Sequence, residues 1–145
     1  MPHQPVAVAA ALALLAAAVS GADAQEAPKP ADPISIELNK LEAAGEDCQA
    51  TVVATNGAAR LDSLKLDLVV FDGEGVVAKR LAAELGPLAA KKTVVKTFPV
   101  KGLACSSMSR VVLNDVISCA GPSGPVTDCI DRLELKARAK VEFAK

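Results

Sequence analysis

From Ile34 onward, apolar and polar residues alternate with a period of two, the spacing of strands that bury one face. The first run is Ile34-Ser-Ile36-Glu-Leu38-Asn, and residues 40–47 then turn through Gly45. Residues 49–55, rich in Thr and Val, predict a second strand that ends at the turn signal Asn56-Gly57. Leu64, Leu66, Leu68 and Val70 mark a third. It runs into Asp72-Gly73-Glu74-Gly75, a hairpin turn in which Gly supplies a positive φ. Residues 76–81 return as its partner, and Gly86-Pro87 breaks the chain. Residues 93–100 predict a fifth strand, with Pro99 placing it at an edge or a strand end. Residues 110–117 predict a sixth, and residues 82–90 have room for a helical turn at most.

The segment from Asp131 to Lys145 sets composition against period. It is rich in Leu, Glu, Lys, Arg and Ala, all good helix formers. Yet apolar residues fall at Leu133, Leu135, Ala137, Ala139, Val141 and Phe143, and charged residues at every even position from Arg132 to Glu142. On a helix this order would scatter apolar groups around the whole circumference. We therefore expect a strand, with Leu135 and Phe143 facing inward and Lys136 and Lys140 facing water. About seven strands separated by turn signals predict an all-β fold, an antiparallel immunoglobulin-like β-sandwich.

Ahead of the strands, Val6 to Val19 is an unbroken apolar run. It is shorter than the roughly 20 residues that span a bilayer, and it fits the apolar core of a signal peptide. Ala22 and Ala24 supply the small-x-small pattern, which places cleavage between Ala24 and Gln25. Residues 1–24 are read as an export signal, 25–33 as a flexible leader rich in Pro and Ala, and 34–145 as a single domain. The expected location is periplasmic or secreted. No second apolar span follows, so no integral membrane segment is expected after signal removal.

Losing the signal removes Asp23 and leaves sixteen acidic against sixteen basic residues. No basic face is marked, so nucleic acid and anionic membrane surfaces have no electrostatic claim on the chain. The one His, His3, leaves with the signal, and Trp and Tyr are absent. Copper or zinc handling and sugar stacking are disfavoured accordingly. Export turns Cys48, Cys105, Cys119 and Cys129 into a disulfide framework. Four cysteines allow three pairings. The compact reversing loop Gly121-Pro122-Ser123-Gly124-Pro125 favours Cys119–Cys129, which leaves Cys48–Cys105. No C-x-x-C knuckle is present, so neither a zinc site nor a redox pair is indicated.

Residues 68–77, followed by Leu85-Gly-Pro-Leu-Ala-Ala-Lys-Lys-Thr, look like a module of small immunoglobulin-like envelope domains of bacteria. Residues 34–143 resemble small exported bacterial proteins catalogued as Tat pathway signal sequence domain proteins. The matching features are Leu64-Lys-Leu-Asp-Leu, Arg110-Val-Val-Leu-Asn-Asp-Val and the cysteines around them. The resemblance implies a structural pattern and no assigned activity. No Arg-Arg pair precedes Val6, so both Tat and Sec export stay open.

Asp72 and Glu74 invite a calcium reading, but two carboxylates fall short of the about five oxygen-bearing positions of an EF-type loop. Asn114-Asp115, inside an apolar strand, is either a functional polar patch or an outward residue beside a bulge or hydrogen-bonded strand end. Ser106, Ser107 and Ser109 lie near Lys101 and Arg110, and a Ser–Lys nucleophile pair would require a desolvated Lys. Lys79-Arg80 and Lys91-Lys92 fit solvated faces that protect strand edges, or contacts to an acidic partner. No catalytic residue, metal site or cofactor is expected. The functional expectation is a non-enzymatic periplasmic β-sandwich domain, an interaction or structural accessory that docks onto an envelope protein by a sheet edge or face. A carrier of a small ligand ranks second, and an enzyme without a recognisable motif last.

Overall fold

The computed structural model describes residues 1–3 and 32–145. The apolar core of the export signal, its cleavage position and residues 25–31 of the leader lie outside the described residues. The rest forms the expected β-sandwich stapled by two disulfides. In the first sheet the order is β5 (Thr93–Val100), β2 (Asp47–Asn56), β1 (Ile34–Ala44), β8 (Leu133–Ala137). In the second it is β4 (Val77–Glu84), β3 (Ser63–Phe71), β6 (Arg110–Gly121). Two short strands share the far side of β6: β9 (Glu142–Ala144) at its start and β7 (Gly124–Pro125) at its end. A single helical turn, α1 (Cys129–Arg132), precedes β8.

The period-two pattern is the reason for two layers. Leu64, Leu66, Leu68 and Val70 of β3 are all buried, and they face Ala50, Val52 and Ala54 of β2 across the core. Each fully buried Leu or Val contributes about 1.5–3 kcal/mol relative to exposure. Where the pattern fades, a bulge has changed the parity. In β1 the inward residues are Ile34, Ile36 and Leu38; an irregularity at Asn39 then turns Leu41 toward the core. The strand thus continues to Ala44, past the turn expected from Lys40 onward, and only Gly45, at φ 63°, reverses it. β4 likewise runs on to Glu84, so Ala82 and Ala83, where the sequence leaves room for a helical turn, are strand.

The C-terminal segment keeps its predicted parity but divides between the sheets. Leu133 and Val141 are buried, Leu135 and Phe143 pack partly against the core, and Lys136 and Lys140 are exposed. β8 pairs with β1 and β9 with β6, both in parallel, so the sheets are mixed where a purely antiparallel sandwich was expected. Residues 138–141 make the crossing, with the Arg138 and Ala139 amides both donating to the Leu38 carbonyl. Inner faces of two facing sheets share one core, so a crossing strand can feed both without changing which side chains point inward.

Cys48–Cys105 joins β2 to the 3-10 turn Cys105–Ser107 across 57 residues, and Cys119–Cys129 joins β6 to α1 across 10. Chain-entropy arithmetic gives about 4 kcal/mol for the longer loop and about 3 for the shorter.

Candidate docking edge

β6 carries two bulges, and they explain its polar interior. Its inward residues are Val111 and Leu113, then Val116, then Cys119. The ladder to β3 slips between Leu113 and Asp115 and again between Val116 and Ser118, leaving Asn114 and Ile117 as the extra residues. The first bulge is fixed by a buried carboxylate. Asp67 sits on the outer face of β3 yet is only 6% exposed. It accepts the Arg80 guanidinium at 2.8 and 2.5 Å and the Asn114 amide at 2.6 Å. The hydrogen bond from Arg80, with that from Asn114, holds the Asp67 carboxyl below the usual carboxylate range. Asp67 in turn raises Arg80 further. Asp115 stands directly across from Asp67 and accepts the Val116 amide at 2.8 Å. The bulge expected as the structural reading of Asn114-Asp115 is present.

The other side of β6 is incompletely covered. β9 pairs with Arg110, Val111 and Val112; β7 pairs with Ala120 and Gly121. Between them, residues 113–118 face no strand on that side among the described residues. Six residues of strand span about 20 Å. The far end of this gap is closed by Cys119–Cys129, which tethers α1, and by the Val126 amide donating to the Cys119 carbonyl at 3.0 Å. A recess of about 190 Å³ lies here, lined by Asp115, Ile117, Ser118, Thr127 and Ile130. Ile117 is 53% and Ile130 38% exposed, large apolar side chains left in water beside an open ladder.

Two of the other sheet edges carry defences, although Val95 of β5 and Val77 of β4 are themselves 64% and 57% exposed. β5 carries Pro99 and turns Lys96 inward, where its ammonium donates to the Gly86 carbonyl at 2.7 Å. Inward charge and Pro are two devices that discourage strand addition. On β4, Arg80 is committed to Asp67 and Lys79 is partly buried. Lys91 is held by the Gly57 carbonyl and Asp32.

The remaining candidates take structural roles. Asp72 Oδ1 accepts the amides of Glu74 and Val76 at 2.9 Å each, which closes the β3–β4 hairpin. Ser109 donates to the carbonyls of Phe71 and Asp72. Lys101 is exposed and paired to Asp47 at 2.9 Å, so nothing desolvates it into a base. The Gly102 amide, with Lys101, holds the Asp47 carboxyl low. Arg110 lies 6.0 Å above the Phe71 ring and pairs with Glu142 at 3.4 Å. Among the described residues no group of three or more His, Cys, Asp or Glu is placed to hold a metal ion. No described helix is long and apolar enough to cross a membrane.

No family model matches the chain, and no curated protein matches it. The fold is similar to a solved structure described as the structural characterization of IrmA from Escherichia coli, with a TM-score of 0.53 and 14% identity over 72% of this chain and 91% of that one. At that identity the likeness shows the fold alone.

The open ladder was not legible in the sequence, because it depends on where β7 and β9 stop. The one local signal was the lost alternation at Asn114. In the sequence Asn56 is marked only as a turn residue. Its side chain is 0% exposed and hydrogen-bonds residues 58, 59, 88 and 89, tying two loops together.

Proposed function

We propose that the chain is a non-enzymatic exported module that binds another protein of the cell envelope by adding a strand of that protein to β6 at residues 113–118. The observation that carries this reading is the uncovered length of ladder between β9 and β7, beside a recess with two exposed Ile side chains. In strand addition, main-chain hydrogen bonds supply affinity and side-chain pockets supply specificity. Each such bond is worth about 0.5–1.5 kcal/mol net, so an added strand of five or six residues is enough for a specific contact. Export is supported by the pairing of all four cysteines, as expected of an oxidising compartment. The carrier reading has less support. The space between the sheets is about 30 Å³ and lined by apolar residues such as Leu68, Phe98 and Phe143. That admits about two waters and no organic ligand of ordinary size.

The test is site-specific photocrosslinking in the native envelope. A photoreactive residue at position 117 should give one discrete adduct with another envelope protein, and one on the outer face of β5 at position 95 should give none. No adduct from 117, or the same adducts from both positions, overturns the reading.

A further inference from the structure

One basic side chain lies against α1, a wall of the recess beside β6. β9 runs parallel to β6 and pairs up to Val112; Lys145, next in line, reaches across and its ammonium donates to the Ile130 carbonyl of α1 at 2.7 Å. The exposed side chains at and beside the groove include the apolar Ile117 and Ile130, the neutral Thr127 and Asn114, and three carboxylates: Asp115 lining it and Asp128 and Asp131 near Ile130 in the chain. Asp128 leans on Arg132 at 3.6 Å, and Arg132 is otherwise turned away to the Asp32 carbonyl.

From this we infer that the segment received by β6 is extended and alternates basic with apolar residues. The inference rests on the docking reading above and adds its chemistry. A strand laid along residues 113–118 puts alternate side chains on the two faces of the sheet. At the recess its apolar side chains meet Ile117 and Ile130, and its basic ones meet the Asp115 carboxylate and the Ile130 carbonyl. Lys145 is the internal stand-in for the incoming basic residue and competes with it for the Ile130 carbonyl. An acidic segment would bring like charges against Asp115, Asp128 and Asp131, which opposes binding at low salt.

The experiment uses the ¹⁵N-labelled, disulfide-intact protein and two blocked hexapeptides, one alternating Val with Lys and one alternating Val with Glu. The Lys peptide should shift the amides of residues 113–118 and bind about tenfold tighter than the Glu peptide at low salt, a gap that narrows as salt is raised. Asp115→Lys should weaken the Lys peptide about fivefold. Lys145→Met should strengthen it, an outcome that damage to the fold cannot mimic. Asp128→Asn with Asp131→Asn, away from the core, supplies a second weakening variant. If both peptides bind residues 113–118 equally, the basic preference is wrong and the docking edge stands. If shifts fall on β4, β5 or β8, or nowhere, the docking edge is wrong and this inference falls with it.

Discussion

Asn56 offers the sharpest test of how the loops are held. Its side chain is fully buried. Its Nδ2 donates to the carbonyls of Ala59, Leu88 and Ala89 at 3.0, 3.2 and 3.3 Å, and its Oδ1 accepts the Ala58 amide at 2.9 Å. Asn56→Ala strips the Ala58 amide of that acceptor in a buried position, which costs about 1–3 kcal/mol. The space left by the amide adds about 1 kcal/mol. The total of about 3 kcal/mol is a large share of the roughly 5–15 kcal/mol that a domain of this size holds. It should lower the melting temperature by about 10 °C. Asn56→Asp separates hydrogen-bond direction from volume. It keeps the shape and the bond from Ala58, but sets acceptors against three carbonyls. At neutral pH it should cost at least as much as Asn56→Ala. The new carboxyl has its pKa raised by burial and by the carbonyls, so its penalty grows as pH rises through the unfolded value and shrinks toward pH 4. Urea unfolding of both variants at pH 4 and 7 is the assay. An Asn56→Ala variant within about 0.5 kcal/mol of the parent, or an Asp variant milder than Ala at pH 7, would refute the reasoning.

Peptide mapping without reduction should recover Cys48–Cys105 and Cys119–Cys129 and no free thiol, and replacing each pair by Ser should cost about 4 and about 3 kcal/mol in unfolding experiments. Asp67 has a depressed carboxyl, so its contribution to stability is present above the unfolded value of about 3.9 and lost as pH falls through the folded one. Asp67→Asn should therefore flatten the acid limb of a stability–pH profile, and an unchanged limb would show that the Arg80 and Asn114 contacts do not persist in solution. Leu133→Asp should cost several kcal/mol by burying an unpaired charge, whereas Lys136→Asp should cost little; equal tolerance in chemical denaturation would mean that β8 is not packed on β1.

The sandwich was legible because side-chain period survives wherever a strand has one wet face. Leu64 to Val70 and Leu133 to Phe143 announced their inward positions without reference to partners. Three things were hidden. Bulges at Asn39, Asn114 and Ile117 change parity locally, and alternation read from a linear sequence fades at each one. Division of the C-terminal segment between two sheets leaves parity untouched, so no periodicity reports it. The role of Asn56 arises from loops more than thirty residues away in the chain. The candidate edge was the least legible feature, since an unpaired ladder is defined by what neighbouring strands fail to cover.

That edge follows from how the C-terminal segment is spent. A single run of alternating residues serves both sheets, and the crossing at 138–141 uses four residues that pair with neither as a strand. β9 then covers only Arg110 to Val112. At the other end, Gly121 and Gly124 make so tight a hairpin that β7 covers only Ala120 and Gly121 before the chain turns into α1. Cys119–Cys129 holds that turn in place, which keeps α1 from sliding along β6 to cover the middle of the strand. The two bulges add twist there, and twist commonly serves to discourage pairing. Here the same twist leaves Ile117 exposed beside the recess and Asp115 at its rim. On the docking reading proposed above, an edge shaped by that twist and rimmed by Asp115 favours an incoming strand of matching twist and positive charge.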